Sequence, residues 1–151
     1  MTGTKVVATN RKAKHEYFLL EAYEAGMVLQ GSEIKSIRAG QISLAQAYVS
    51  IDRGEAWLVN AHVAPYDEAG RDNHDPLRKR KLLLHQGEIR KMADSVKQKG
   101  VTIVPVRVYL KDGRAKIEIA VAKGKKDYDK RAAIAKRDAE REIERQMSRR
   151  G

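Results

Sequence analysis

No cysteine occurs in the 151 residues, which excludes disulfides, thiolate metal sites and a cysteine nucleophile. Aromatic residues make up only 5% of the chain, so a core has to be assembled from aliphatic side chains. Apolar runs are also short. None approaches the roughly 18 residues of a membrane span, and the opening MTGTKVVATNRKAKHEY has neither the apolar stretch nor the cleavage pattern of a secretory signal. These absences are consistent with a cytoplasmic protein in a reducing environment, with no membrane partner. Catalytic signatures are missing as well. His15, His62, His74 and His85 lie far apart without HExxH-type spacing, and there is no Gly-rich phosphate loop or nucleophile elbow. The acidic residues are scattered among basic ones instead of gathering as Mg²⁺ ligands, and His74-Asp75-Pro76 reads as a turn. The expectation is a protein that is not an enzyme and has no metal or cofactor.

What the chain has in abundance is positive charge. Lys and Arg number 31 against 20 Asp and Glu, giving a net charge of +11. Residues 123–151 hold 11 basic and 6 acidic side chains, which leaves 20 against 14 in residues 1–122. Both parts are therefore basic. A polyanion is the natural partner, because each phosphate neutralised by Lys or Arg releases condensed counterions. The same boundary divides the organisation: 1–122 as one folded RNA-binding domain, and 123–151 as a basic tail. That tail has only Tyr128, Ile134, Ile143 and Met147 as large apolar or aromatic side chains.

Within the body, residues 1–9 offer the short apolar patch Val6-Val7-Ala8, a loose start or an edge strand, and 10–15 read as a basic connector. Residues 17–29 predict a strand that bends or bulges at Gly26. GSEIKSIRAG predicts a short helix with Ser32 as N-cap and Gly40 at its end. AYVSI-DRG-EAWLVNAHV predicts a hairpin with Trp57, Val59, Ala61 and Val63 alternating onto one face. Residues 65–76 are polar, rich in turn formers, and expected to be a mobile loop. RKRKLLL follows, then the amphipathic helix GEIRKMADSVKQKG, with Ile89, Met92, Ala93 and Val96 on one side and Gly100 as its stop.

The clearest hairpin is VTIVPVRVYL-KDG-RAKIEIAV. Val104, Val106, Val108 and Leu110 are expected on one face, opposite Ala115, Ile117, Ile119 and Val121. Pro105 places that strand at an edge or puts a bulge in it. The fold class is mainly β: an antiparallel barrel of about six strands, resembling the oligonucleotide-binding fold, with two or three short helices.

The basic segments fall beside flat side chains. Asn10, Arg11, Lys12 and Lys14 precede Tyr17, Lys35 and Arg38 share a helical edge, and 78–81 form a cationic block that includes Lys79 and Lys81. Such residues suit phosphate and ribose contacts, and tyrosines offer faces for bases. For Tyr17 and Tyr48, stacking and core burial are both open; Tyr128, between Asp127 and Asp129 with no core nearby, reads as a stacking residue. Composition and fold alone leave three readings: an RNA-binding adaptor, a ribosomal or initiation-factor-like rRNA-binding protein, and an RNA-processing enzyme.

NRKAKHEYFLLEAYEAGMVLQGSEIKSIRAG, DPLRKRKLLLH and VAKGKKDYDKR, in that order, closely resemble the SmpB family of bacterial SsrA-binding (tmRNA-binding) proteins over nearly the whole chain. The resemblance implies a barrel that grips the tRNA-like domain of tmRNA, with a tail disordered in solution that enters the ribosome. Its implied RNA-facing positions are Asn10, Arg11, His15, Tyr17, Glu24, Lys35, Arg38 and Tyr48. Its tail motif maps onto Lys123, Gly124, Lys125, Lys126, Tyr128, Asp129, Lys130 and Arg131. Two positions depart from the pattern: Ser32 stands where many members carry a bulkier residue, and Tyr128 where others carry His. The implied partners are tmRNA, small-subunit rRNA at the decoding centre and mRNA channel, and alanyl-tmRNA with EF-Tu and GTP, all met as a monomer.

From residue 132 the tail predicts a conditional helix. Ala132, Ala135, Ala139, Ile143 and Met147 recur at spacings of three and four, a stripe too narrow to bury much, while Arg137, Arg141, Arg145 and Arg149 rise along one side. Such a helix is marginal alone and is expected to fold on binding. With the stretch before it extended, the tail reaches on the order of 50 Å.

Overall fold

A computed structural model describes residues 3–125, 137–143 and 145. The elements run β1 (Thr4–Thr9), α1 (Arg11–Glu16), β2 (Tyr17–Met27), α2 (Gly31–Arg38), β3 (Ile42–Ser43), β4 (Tyr48–Asp52) and β5 (Glu55–Val59). They continue through β6 (His62–Val63), a 3-10 turn (Asp67–Asp72), β7 (Arg80–Leu83), α3 (Gln86–Ser95), β8 (Val101–Lys111) and β9 (Arg114–Gly124). Seven strands form one antiparallel sheet in the order β1-β8-β9-β2-β7-β5-β4, and β3 pairs with β6 apart from it. The sheet curls until β4, at one edge, packs back against β8, so the last side of the barrel closes by packing and not by a ladder. The strand count exceeds the expected six because short pieces such as β3 and β6 pair too.

The long β8–β9 hairpin is the spine. Ile117, Ile119 and Val121 alternate into the main core as expected, together with Leu58, Val63, Leu82 and Met92. On β8 the single expected face is broken. The register shifts between Pro105 and Arg107, so Val108 enters the main core while Val104 joins Ala13 and Ala122 in a second cluster under α1. Pro105 thus marks a bulge in an interior strand, flanked by β1 and β9. In β2 the bulge lies between Leu19 and Ala22, not at Gly26. A Cβ at Gly26 would come 3.5 Å from the Leu83 side chain, so that glycine marks close strand approach instead.

Other expectations are corrected by local backbone geometry. Residues 11–16 are helical, not a connector, because Asn10 caps them. The N-cap of α2 is Gln30, in a reciprocal capping box with Glu33; Ser32 lies inside the helix, buried, bonded to His74. The 47–63 hairpin loses its alternation at Asn60, whose φ of 62° is left-handed. Ala56 and Leu58 face the core before that break and Ala61 and Val63 after it, which leaves Trp57 on the opposite side.

The 65–76 segment is pinned, contrary to the expectation of a mobile loop. Asn73 bonds both ways with the Tyr66 backbone at 2.9 and 2.8 Å. His74 is buried between Ser32 Oγ at 2.8 Å and the Val63 carbonyl at 2.9 Å. A carbonyl only accepts, so Nε2 carries a proton and donates to Val63, while Nδ1 shares a hydrogen bond with the Ser32 hydroxyl.

Behind this segment sits a buried ionic cluster. Glu33 on α2 and Arg80 on β7 are both fully buried, and Arg80 Nε donates to Glu33 Oε2 at 2.6 Å. Arg78 donates to the other carboxylate oxygen at 2.5 Å. Arg80 also donates to the carbonyls of Ala61 at 2.9 Å and Pro76 at 3.2 Å. Burial alone would push the Glu33 carboxyl up, but bonds from Arg78, the Gln30 N–H and Arg80 outweigh it and hold the group below the usual range. Glu33→Gln, which leaves two guanidiniums facing a neutral amide, should lower stability by about 3–5 kcal/mol in urea melts near neutral pH. With a lowered folded-state pKa, the carboxylate's contribution is complete above its unfolded-state value and lost as pH falls through the folded one. The gap between wild type and variant should therefore close in acid; a gap unchanged by pH would contradict the assignment.

Candidate nucleic-acid interface

The N-terminal cationic cluster is built on α1. Asn10 Oδ1 accepts from the Ala13 N–H at 3.2 Å, and its Nδ2 donates to the Pro105 carbonyl at 2.9 Å. The latter carbonyl sits at the β8 bulge, so one irregularity in β8 anchors the helix. Ala13 packs inward on Val104 and Ala122, which turns Arg11, Lys12, Lys14 and His15 to solvent. Asn10 itself is buried with both ends of its side chain engaged, so it positions the cluster and does not face outward as expected.

The end of β9 comes to the same place. The Lys125 N–H donates to the Glu16 carbonyl at 2.8 Å, and its ammonium reaches the Lys14 carbonyl at 3.2 Å while lying 5.1 Å from the Phe18 ring. Lys123 and Gly124 pair with Phe18 and Tyr17, so these two tail-motif residues belong to the sheet. Thr9, Arg11, Lys14, His15 and Lys125 line an open hollow of about 700 Å³ with Arg137 and Glu140 from the tail. Residues 137–143 and 145, including Arg137, Arg141 and Arg145, are helical, as the spacing predicts. The expectations for Lys126, Tyr128, Asp129, Lys130 and Arg131, and for tail disorder, fall on positions outside the described residues.

Beside α1 lies a cleft of about 160 Å³ between the helix, the 45–47 turn and β8, with Tyr17 and Tyr48 both in its wall. Tyr48 is 43% exposed and offers an accessible face, whereas Tyr17 is half-buried and packs in part against the cluster of Ala13, Val104 and Ala122.

The remaining residues lie elsewhere. Lys35 and Arg38 are exposed on α2; the Lys35 ammonium lies 5.5 Å from the Tyr66 ring, and Arg38 donates to the Gly113 carbonyl at 3.3 Å. Glu24, on the outer face of β2, accepts from the Tyr109 hydroxyl and pairs with Lys111 at 3.6 Å. That hydroxyl bond, with help from Lys111, holds the Glu24 carboxyl below the usual range, and burial with the same bond pushes Tyr109 up. Arg38 and Glu24 meet the β8–β9 hairpin near its turn, whereas Tyr17 and Lys125 sit at the other end of β9, about 30 Å from the turn at strand rise. The predicted positions therefore line an extended surface and not a single pocket.

The 78–81 block divides by strand alternation. Arg78 and Arg80 turn to Glu33, while Lys79 is exposed and Lys81 is half-exposed, paired with Glu55 at 3.3 Å. The sequence singles out Lys79 and Lys81 from this block but shows no partner for Arg78 and Arg80, and Glu33 gives no sequence signal beyond its place three residues after Gln30. Among the described residues there is no group of three or more potential metal ligands, and no helix is long and apolar enough to cross a membrane.

A basic antiparallel barrel with cations and accessible tyrosines spread over its surface defines a nucleic-acid-binding module of the oligonucleotide-binding kind. Comparison with known proteins narrows this. The model for SmpB protein matches residues 7–149. The SsrA-binding protein of Desulforudis audaxviator is 57% identical, with 93% of this chain and 92% of the relative covered, and that of Sulfurihydrogenibium sp. is 59% identical, with 93% and 92% covered. The solved structure "tmRNA-SmpB: a journey to the center of the bacterial ribosome" aligns at a TM-score of 0.68 and 42% identity, covering 84% of this chain and 93% of that one. The chain belongs to the SmpB family.

Asn10 gives a direct test of how the α1 cluster is positioned. Asn10→Ala removes the cap and the bond to the Pro105 carbonyl, which should cost about 1–2 kcal/mol in thermal melts and weaken RNA binding through α1. Asn10→Ser, which keeps a capping oxygen, should recover part of both. If Asn10→Ala weakened RNA binding with stability untouched, Asn10 would be a contact and not a support.

Proposed function

We propose that this chain is an RNA-binding adaptor that holds the tRNA-like domain of tmRNA and brings it to stalled ribosomes for trans-translation. The barrel, residues 1–124, binds tmRNA through Arg11, His15, Tyr17 and Tyr48 around α1, with Lys35, Arg38, Glu24, Lys79 and Lys81 extending the surface. Cations take phosphates, and the tyrosines take exposed base or ribose faces. The tail meets small-subunit rRNA at the decoding centre and the empty mRNA channel, where Arg137, Arg141 and Arg145 ride on one helical side. The adaptor works in the cytoplasm as a monomer, alongside alanyl-tmRNA, EF-Tu and GTP, and itself catalyses nothing.

The observation that carries this reading is the junction at Lys125. The tail leaves the barrel against α1, inside the cationic cluster, so a chain bound to one RNA there presents its tail from that RNA's edge. Family membership supplies the identity of the RNA.

Deletion should begin at residue 126, because β9 runs to Gly124 and Lys125 is tied to α1. The shortened protein is expected to bind the tRNA-like domain of tmRNA in a gel shift within about twofold of the full chain, an order-of-magnitude allowance for lost non-specific charge. Tagging of nascent peptides on stalled ribosomes should be abolished. Loss of tmRNA binding on the same deletion would overturn the division of labour.

A further inference from the structure

We propose that the outer face of β4–β5–β7 is a second RNA contact, a stacking track for unpaired bases centred on Trp57. This rests on the RNA-binding reading above. The ladders define the face row by row. Trp57 stands opposite Ser50 on β4 and Lys81 on β7, and Tyr48 stands opposite Val59. Side chains alternate between faces along a strand, so Tyr48, Ser50 and Asp52, then Val59, Trp57 and Glu55, then Lys79, Lys81 and Leu83 share the outer side.

Trp57 is the only tryptophan in the chain, and it is half-buried on the side away from the core. Its indole N–H donates to no group among the described residues. Packing does not explain a large ring there, since the same strand fills the core with Ala56 and Leu58. A groove of about 360 Å³ opens over the ring, lined by Ser50, Ile51, Asp52, Trp57, Val59 and Lys79. Its lining mixes apolar with polar side chains, the composition a base needs for its face and its edges.

Charge favours an anionic occupant, since Lys79, Lys81 and Arg53 outnumber Asp52 and Glu55 around this face. Lys79 is exposed without an ion-pair partner among the described residues, and the Lys81–Glu55 pair at 3.3 Å is exposed enough to open at little cost. Arg53 lies at the tip of the β4–β5 turn. These cations flank the rings as phosphate ligands flank stacking aromatics on a nucleic-acid-binding sheet. Tyr48 lies diagonally next to Trp57, about 7–8 Å away by ladder geometry. It also walls the cleft shared with Tyr17. The track therefore continues the α1 surface around the barrel, and it gives Lys79 and Lys81 a common purpose.

The single tryptophan makes the test direct. The full chain is titrated with a short unpaired RNA oligomer carrying its own label, and with a fully paired RNA duplex of the same length. The oligomer should quench Trp57 emission as it binds, and more strongly than the duplex. Trp57→Ala should weaken oligomer binding about five- to tenfold, the lower range for loss of one stacked base, and Trp57→Phe should recover most of it. Lys79→Gln should reduce the slope of log affinity against log salt by about 0.7. Unchanged emission while the label reports bound RNA would overturn the track, leaving the face to a protein partner, with the adaptor reading intact. So would full affinity in both Trp57→Ala and Lys79→Gln. Failure of every RNA, including the tRNA-like domain of tmRNA, to bind at low salt would overturn the adaptor reading as well.

Discussion

The arrangement of the outer surface depends on one buried carboxylate. Glu33, on α2, holds Arg80 from β7 and Arg78 from the segment before it, and Arg80 extends the tie to the carbonyls of Ala61 and Pro76. A guanidinium buried without such partners would be prohibitive, so β7 has one acceptable register. With Arg80 inside, strand alternation turns Lys79 and Lys81 outward. The same cluster holds the chain between β6 and β7 in place, with His74 seated on Ser32 beside it. The fully buried Glu33–Arg80 pair thus decides which cations meet the partner.

A second constraint acts through the β8 bulge. The register shift between Pro105 and Arg107 divides β8 between two clusters and frees the Pro105 carbonyl for Asn10. Six residues of helix would be marginal alone. The cap, Ala13 in its apolar seat and Lys125 across its end give α1 a fixed orientation. Rigid support of this kind lets a small helix present Arg11, Lys12, Lys14 and His15 as one surface.

Much of this was legible from residue order, and the limits have physical causes. The β8–β9 hairpin followed from alternation around Asp112-Gly113, and proline's missing donor left an edge or a bulge, of which the structure has the bulge. Amphipathic spacing located α3. Trp57 was misplaced because a single left-handed residue, Asn60, reverses strand parity, and asparagine signals that option only weakly. The 65–76 segment read as free because its order comes from His74 bonding to Ser32, 42 residues away, and from an Asn73–Tyr66 clasp within the segment that turn propensity does not display. The inward turn of Arg80 was not legible because a buried guanidinium is rare and its partner lies 47 residues away. Charge identified the class of partner; long-range pairing decided which charges are available to it.

The attachment of Lys125 to α1 has a consequence for how two weak contacts combine. The chain that follows is tethered at a point fixed within a few ångströms of the surface proposed to hold tmRNA. Once the barrel is engaged, the tail no longer searches bulk solution, and its local concentration at a site within reach is set by tether length, commonly in the millimolar range. Neither contact then has to be tight by itself. Affinities too low to sequester the protein on stray RNA can multiply when both sites are present together, so selectivity arises from coincidence and not from the strength of either grip.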